Sequence, residues 1–557
     1  MGSAQRFLRL FHTLRHLRPV QFYGRLWFRL HRPRPDVRPA PGLRKPGAPW
    51  IRPARRPCSL VGPQSFRFLN ETHEIASPDD WNNPLWPKLW LYNLHYLDDL
   101  NAQESESRSA WHHAVVDRWM RDNRPATGNG WEPYCLSLRI VNLIKWALGG
   151  HPLEPAWVHS IAVQARFLSR RMEYHLLGNH LFENAKALVF AGLFFEGPEA
   201  VRSLEMGLRV LRRELDEQVL ADGGHFERSP MYHCIILEDL LDLVNLSQTY
   251  SGAIDANAVR SWRSAARSMQ DWLACMCHPD GQIPLFNDSA FAISPPPAAL
   301  HDYAARLGLG TLNTTQLGAR LLERSGYAKL ATGPAALLAD VGSVGPSYLP
   351  AHAHASTLSF ELSIFGRRVI VDTGTSSYGA GEERQRQRST SAHNTLMIDE
   401  CDSSEVWGSF RVARRARVSG VAVGEQRGVY FLEAGHDGYH HLPGRPTHWR
   451  RWQLDDCRLV IADEVRGAGN HDVEIFFHLH PDWEARLHGR QCDVVHGGAG
   501  MFMRFEFDDS LSVELTQSTY HPEFGLSIPN VRIRCRFWGN LPRRFETRLH
   551  WSAAREE

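Results

Sequence analysis

The sequence predicts a multidomain α + β protein in which a long helical region precedes an antiparallel β-sandwich. Three observations carry this expectation. The chain has 557 residues, too many for one hydrophobic core, so two or more domains are expected. Apolar residues recur at helical spacing from about 90 to 325, with no strand-like run between them. From about 335 onward, short β-branched or alternating runs are punctuated by Gly, Asp and Asn, the texture of many strands joined by turns.

The N-terminal residues 3–31 read as two basic amphipathic helices. Phe7, Leu8, Leu10, Phe11, Leu14 and Leu17 recur with Arg between them, Pro19 breaks the run, and Phe22, Leu26, Trp27 and Leu30 resume it. One reading is contact with an anionic membrane surface or polymer. The other, taken as the default, is packing on the main body with the Arg face in solvent. Residues 33–57, rich in Pro and Arg, read as an extended linker. The expected division is therefore 1–60 for the basic segment and linker, 61–330 for a helical domain, and 331–557 for the sandwich.

Helices are expected near 109–122, 134–148, 155–176, 180–195, 199–219, 231–250 and 257–277, separated by connections such as Gly149-Gly150-His151-Pro152 and Asp222-Gly223-Gly224. Paired helices of this kind build a bundle, a solenoid or an α/α toroid, and periodicity does not choose among them. Strands are expected at Thr357–Ile364, Arg367–Asp372, Asn394–Ile398, Gly428–Leu432, Arg458–Asp463, Val473–His478, Leu511–Leu515 and Val531–Phe537, with no strong helix among them.

Composition narrows the function. Residues 1–60 hold 14 Lys/Arg and one Asp of the chain's 63 basic and 61 acidic residues, so the remainder carries 49 basic against 60 acidic groups. A body with that acidic excess is not a general nucleic-acid binder. The nine cysteines are scattered without a disulfide framework, and no apolar stretch reaches the length of a membrane span. Arg6, Arg9, Arg15 and Arg18 interrupt what a signal peptide would keep apolar. A cytoplasmic location is therefore expected, with periplasmic or membrane-peripheral placement left open. Phosphate-binding glycine loops and a G-x-S-x-G elbow are both missing, so neither a nucleotide or redox cofactor nor serine hydrolase chemistry is expected.

Four segments carry polar and aromatic residues that a core does not demand. In Gly178–Lys186, Asn179, Glu183 and Lys186 share one helix face and His180 lies beside it, at a helix start that favours an anion. In Asp222–His233, a Gly-rich turn leads into a helix at Ser229-Pro230, placing Tyr232 and His233 in its first turn. Next comes His352-Ala353-His354, whose imidazoles could join Asp372 and His393 as a metal set. The fourth, Asp372–Tyr378, leads to Arg384, Arg386 and Arg388, whose alternating spacing could line a groove for carboxylates or sulfates. Each has a plain structural alternative: an N-cap, a core tyrosine, a chance histidine pair, a solvated loop.

Together with Trp90–Leu97, the Trp131-Glu132-Pro133-Tyr134 run with Ser137–Ile140, and Arg388–Thr395, these segments resemble the bacterial heparinase II/III-like polysaccharide lyases, including members associated with exopolysaccharide genes. The resemblance spans about 85 to 480. It implies an incomplete α/α toroid joined to an antiparallel β-sandwich, with the cleft between them, and an anionic uronic-acid polysaccharide as substrate. It implies that Asn179 and His180 neutralise the uronate carboxylate, that Tyr232 shuttles the proton, and that His352 partners it. His233, Tyr378, Arg388, Glu183 and Trp131 are the expected substrate contacts. His354, Asp372 and His393 would hold a structural divalent metal, zinc being expected. Ala355-Ser356 stands where relatives often carry Asp after the H-x-H pair. Two other functions are weighed: a glycoside hydrolase, which needs two carboxyl groups and could draw on Glu183, Glu227 and Asp288, and a non-catalytic glycan-binding or assembly protein. An unsaturated product distinguishes elimination from both.

Overall fold

The computed structural model describes residues 3–310, 317–498 and 500–552. Twelve α-helices run in chain order among them: α1 (Ser3–Leu14), α2 (Pro19–Leu30), α3 (Lys88–Tyr96), α4 (Ser109–Asp122), α5 (Pro133–Leu148), α6 (Pro155–Ser169), α7 (Gly178–Phe194), α8 (Pro198–Gln218), α9 (Pro230–Thr249), α10 (Ala256–Met276), α11 (Pro297–Arg306) and α12 (Glu382–Arg388). From α4 to α10, most observed bounds lie within two residues of the expected ones. The exception is α6, which ends at Ser169 where 176 was expected.

The helical half is an incomplete α/α toroid in which alternate helices pack, α3 on α5, α5 on α7, α7 on α9 and α4 on α6. Its core is unusually rich in tryptophan: Trp81, Trp90, Trp119, Trp146 and Trp157 are each 0 or 1% exposed. Close approach of α7 and α8 depends on small residues, since a Cβ on Gly192 would lie 2.6 Å from the Leu204 amide. A short hairpin, Ser65–Phe68 with Glu71–Glu74, precedes the toroid and was not anticipated.

The strand-rich half begins at Gly318 rather than 331. Its first sheet has five strands in sequential order: Gly318–Leu322, Tyr327–Ala331, Ala335–Asp340, Phe360–Ile364 and Arg367–Ile370. An eight-stranded sheet runs from Val418–Gln426 to Trp483–His488, and a four-stranded sheet sets Ile528–Asn540 between Ser512–Tyr520 and Asn470–His478. Pairings between named strands are antiparallel, and the inner faces share one apolar core. The strand Thr447–Leu454 shows the alternation plainly, burying His448, Arg450, Trp452 and Leu454 and leaving the residues between them half-buried. The inward Arg450 is tolerated because Asp463 accepts from it at 2.7 and 3.0 Å.

Candidate active site

A cavity of about 1220 Å³ opens between the two halves, larger than the roughly 300–1,000 Å³ typical of drug-sized ligand pockets. Helices α1, α2, α5, α7 and α9 supply one side, and the segments around 348–352, 376–379 and 407–415 supply the other.

Helix α7 begins with left-handed backbone at Leu177 (φ 64°) and Gly178 (φ 57°). A Cβ at Gly178 would collide with Glu227 Oε1 and lie 2.6 Å from Leu349 Cδ2. Glycine therefore lets the first turn of α7 settle against the Glu227 carboxylate. That carboxylate accepts the Asn179 backbone N–H at 2.9 Å and the Asn179 side-chain amide at 3.0 and 3.1 Å. His180, one residue on, pairs its Nδ1 with Glu173 Oε2 at 3.2 Å and packs its ring 4.4 Å from Tyr134.

Helix α9 starts as the sequence predicts. Ser229 caps it by accepting the Tyr232 N–H at 3.2 Å, and Pro230 occupies the first turn. This aims Tyr232 into the cavity, where its hydroxyl lies 3.3 Å from that of Tyr378. His352 arrives from the strand-rich half, with its ring 4.0 Å from the Tyr232 ring at an angle of 30°. Both imidazole nitrogens are engaged: Nδ1 lies 3.0 Å from Asp288 Oδ2 and Nε2 lies 3.2 Å from Glu227 Oε2. Asp288 also accepts from His354 Nε2 at 2.8 Å, from Arg384 Nη2 at 2.7 Å, and from Arg384 Nη1.

Two carboxylates thus face one guanidinium and two imidazoles, His352 between them and His354 on Asp288. Burial alone would lower the His352 pKa, but its hydrogen bonds to Asp288 and Glu227 outweigh burial and raise it to about 9. Burial works to raise Glu227, yet the His352 contacts and the Asn179 amide bring it down to about 2. Asp288 is likewise held far below the carboxylate range against burial, by Arg384, His352 and His354. His352 is therefore an imidazolium with both N–H groups occupied. It sits on the Tyr232 ring face instead of accepting a proton from its hydroxyl, which changes the expected partnership. Burial pushes the Tyr232 phenol up, while the Tyr378 hydrogen bond pulls the other way.

Asn179, His180, Tyr232, His352, Tyr378 and Glu183 all border this cavity. Glu183 stands among the α9 carboxylates with Lys186, and burial followed by the nearby Asp239 raises its carboxyl well above the usual range. Three expected substrate contacts lie elsewhere. His233 points into the core, donating from Nε2 to the Met269 carbonyl at 2.9 Å and stacking on Trp272. Trp131 is buried against Trp119 and Phe167. Arg388 is fully buried and clamps backbone, donating to Ala353 O at 2.9 and 3.2 Å and to Gly408 O at 2.9 Å. The arginines expected to line a groove, or else to lie in a solvated loop, stand on a helix, α12. Arg384 and Arg388 therefore share its buried face, and Arg386 turns outward to Glu383. The residues that sequence reasoning passed over are Glu227, Asp288 and Arg384 as charge partners, and Tyr134 and Glu173 as the setting of His180.

The expected metal set is placed differently from three converging ligands. Asp372 accepts from His393 Nδ1 at 2.8 Å, and among the described residues no group of three His, Cys, Asp or Glu side chains is placed to hold an ion. The His354 and His393 rings are 5.3 Å apart, and His354 Nδ1 and His393 Nε2 are buried without partners. Two orphaned imidazole nitrogens, each on a ring backed by a carboxylate, Asp288 behind His354 and Asp372 behind His393, fit an ion that takes nitrogen donors.

An incomplete toroid, a β-sandwich and a polar cleft at their junction define a two-domain protein of the toroid-plus-sandwich class. The chain belongs to the heparinase II/III-like family: its residues 153–295 match the family's N-terminal domain and 314–552 its C-terminal domain. FtsZ-localized protein C of Caulobacter vibrioides is 28% identical over 475 residues, covering 78% of this chain and 77% of that protein. A heparin-sulfate lyase of Bacteroides thetaiotaomicron is 24% identical over 415 residues, covering 66% of this chain but only 56% of the lyase. Among solved structures, heparinase III matches with a TM-score of 0.65 at 17% identity, over 87% of this chain and 79% of its own. The heparan sulfate lyase of Pedobacter heparinus matches at 0.58 and 17%, over 89% and 82%.

Proposed function

We propose that the protein is a polysaccharide lyase that cleaves an anionic, uronic-acid-containing polysaccharide by β-elimination. The observation that carries this reading is the meeting of Asn179, Tyr232 and His352, from opposite halves of the chain, on one cavity. The heparin-sulfate lyases among its relatives support the reaction class.

The reaction removes the C5 proton of a uronate and breaks the C4–O4 bond. The electron pair forms the C4=C5 double bond, and the departing O4 takes a proton. The Asn179 side-chain amide, which rests on Glu227 at the N-terminus of α7, and His180 would turn to the substrate carboxylate and stabilise the charge that accumulates on it. Tyr232 is the proton-transferring group, and Tyr378 is the hydroxyl through which its proton can exchange. His352 places a positive charge beside them that offsets Glu227 and Asp288. A hydrolase would need two carboxyl groups flanking the bond, yet Glu227 and Asp288 are both bound to His352.

The same proposal includes a structural metal, zinc by its preference for imidazole. His354 and His393 would hold it, with Asp372 fixing the His393 tautomer. The ion would supply cross-linking beneath the cleft, and the elimination steps use the chain's own residues. The test is a panel of uronic polymers, including heparan-type glycans and bacterial exopolysaccharides, scored by ultraviolet absorbance of the unsaturated product. Reducing ends without that absorbance would indicate hydrolysis, and binding without either would indicate a non-catalytic protein.

A further inference from the structure

Helices α1 and α2 have two unlike faces. The inner face ties them to both halves of the molecule. Arg9 Nε donates to Glu405 at 2.8 Å, Trp407 Nε1 donates to Thr13 at 3.1 Å, and the buried Gln21 donates to the Tyr348 carbonyl at 3.2 Å. On the toroid side, Phe28 packs 4.3 Å from the His175 ring. This is the packing that the sequence suggested by default, and it holds the pair across the mouth of the cavity, which Leu17, Arg25 and Arg29 border.

The outer face carries the solvated arginines that this packing implies and, beside them, large apolar side chains. Phe7 is 71% exposed, Tyr23 64%, Leu26 61%, Trp27 63% and Leu30 73%. Tyr23, Leu26, Trp27 and Leu30 follow the spacing of one helical stripe. A contiguous apolar stripe of large side chains in water marks a surface that meets something apolar. Charge narrows the partner: residues 1–35 hold eight arginines and no acidic residue, and Arg6, Arg15, Arg32 and Arg34 are exposed. A second copy would bring this basic face against itself. An acidic glycan would answer the arginines but not the apolar stripe. An anionic bilayer answers both, with headgroup phosphates on the guanidinium groups and acyl chains on the stripe.

We propose that the outer face of α1 and α2 docks the protein on an anionic lipid bilayer, the helices lying in the headgroup plane with the cleft mouth directly behind them. No helix among the described residues is long and apolar enough to cross a membrane. This goes beyond the lyase reading and does not depend on it.

The test is flotation of the full chain with vesicles of phosphatidylcholine alone or with phosphatidylglycerol added. The wild type is expected to float with the mixed vesicles and to partition at least ~10-fold more weakly onto phosphatidylcholine alone. The triple variant Leu26→Ser, Trp27→Ser, Leu30→Ser should lose at least ~10-fold of its binding to mixed vesicles. Its melting should be unchanged, because these side chains are exposed. Failure of the wild type to float, undiminished binding of the folded triple variant, or capture by an anionic polysaccharide without flotation would overturn the proposal.

Discussion

The imidazole of His352 lies over the phenol of Tyr232, tilted by 30° with ring centres 4.0 Å apart, although the two residues belong to different halves of the fold. The contact exists because the Tyr232 ring is set by the capped start of α9, while Glu227 and Asp288 grip both nitrogens of His352 from below.

Tyr232→Phe keeps the ring and its stacking but removes the transferable proton. Turnover should fall by roughly 10²- to 10⁴-fold with little change in KM. Tyr378→Phe, which removes only the exchange partner, should lose less. Initial rates by product absorbance check both, and near-wild-type turnover in Tyr232→Phe would remove it from the mechanism.

The raised pKa of His352 makes stability depend on pH. Its value in the folded protein, about 9, exceeds the unperturbed value near 6.5, so its stabilising contribution is full below about 6.5 and is lost as pH rises through about 9. The contribution is of order 3 kcal/mol. Urea denaturation of the wild type and His352→Gln between those limits should show the gap between them closing as pH rises. A gap independent of pH would mean that His352 is neutral in the folded protein.

Arg388 lies outside the cavity and holds Ala353 and Gly408 by their carbonyls. Arg388→Met should destabilise the protein by about 3–5 kcal/mol, since it leaves buried carbonyls without donors. KM should stay close to wild type at temperatures where the variant is folded. A large KM increase in a variant with unchanged melting would restore it as a substrate contact.

His393→Ala strips Asp372 of its buried partner and should lower the melting temperature more than it alters substrate affinity. Elemental analysis separates the metal from the ion pair. The purified wild type should carry close to one zinc per chain and the variant none. Metal-free wild type with unchanged melting under chelation would refute the metal.

Much of the fold was legible because helix and strand periods differ and each persists. Ser229-Pro230 marked the start of α9, and the β-branched runs marked strands such as Val473–His478. The first sheet was legible only in its last two strands, Phe360–Ile364 and Arg367–Ile370; Tyr327–Ala331 and Ala335–Asp340 were missed because they are buried along their whole length and rich in alanine, so they show no alternation. In the site, Asn179, Tyr232 and His352 were legible from their motifs. Charge partners were not, since Glu227, Asp288 and Arg384 meet only in three dimensions. His233 lies next to Tyr232 in sequence but points the other way, because one residue along a helix is a rotation of about 100°.

Gly178 sets a boundary whose consequence is a pattern of mutational tolerance. The space its missing methyl group would fill is already occupied by the Glu227 carboxylate, so even alanine there must push that anion off Asn179 and toward His352. In a saturation library, position 178 should accept nothing, while Gly252, with a similar backbone angle and open space around it, tolerates asparagine. The electrostatic balance of the cleft is inherited through an atom that the chain leaves out.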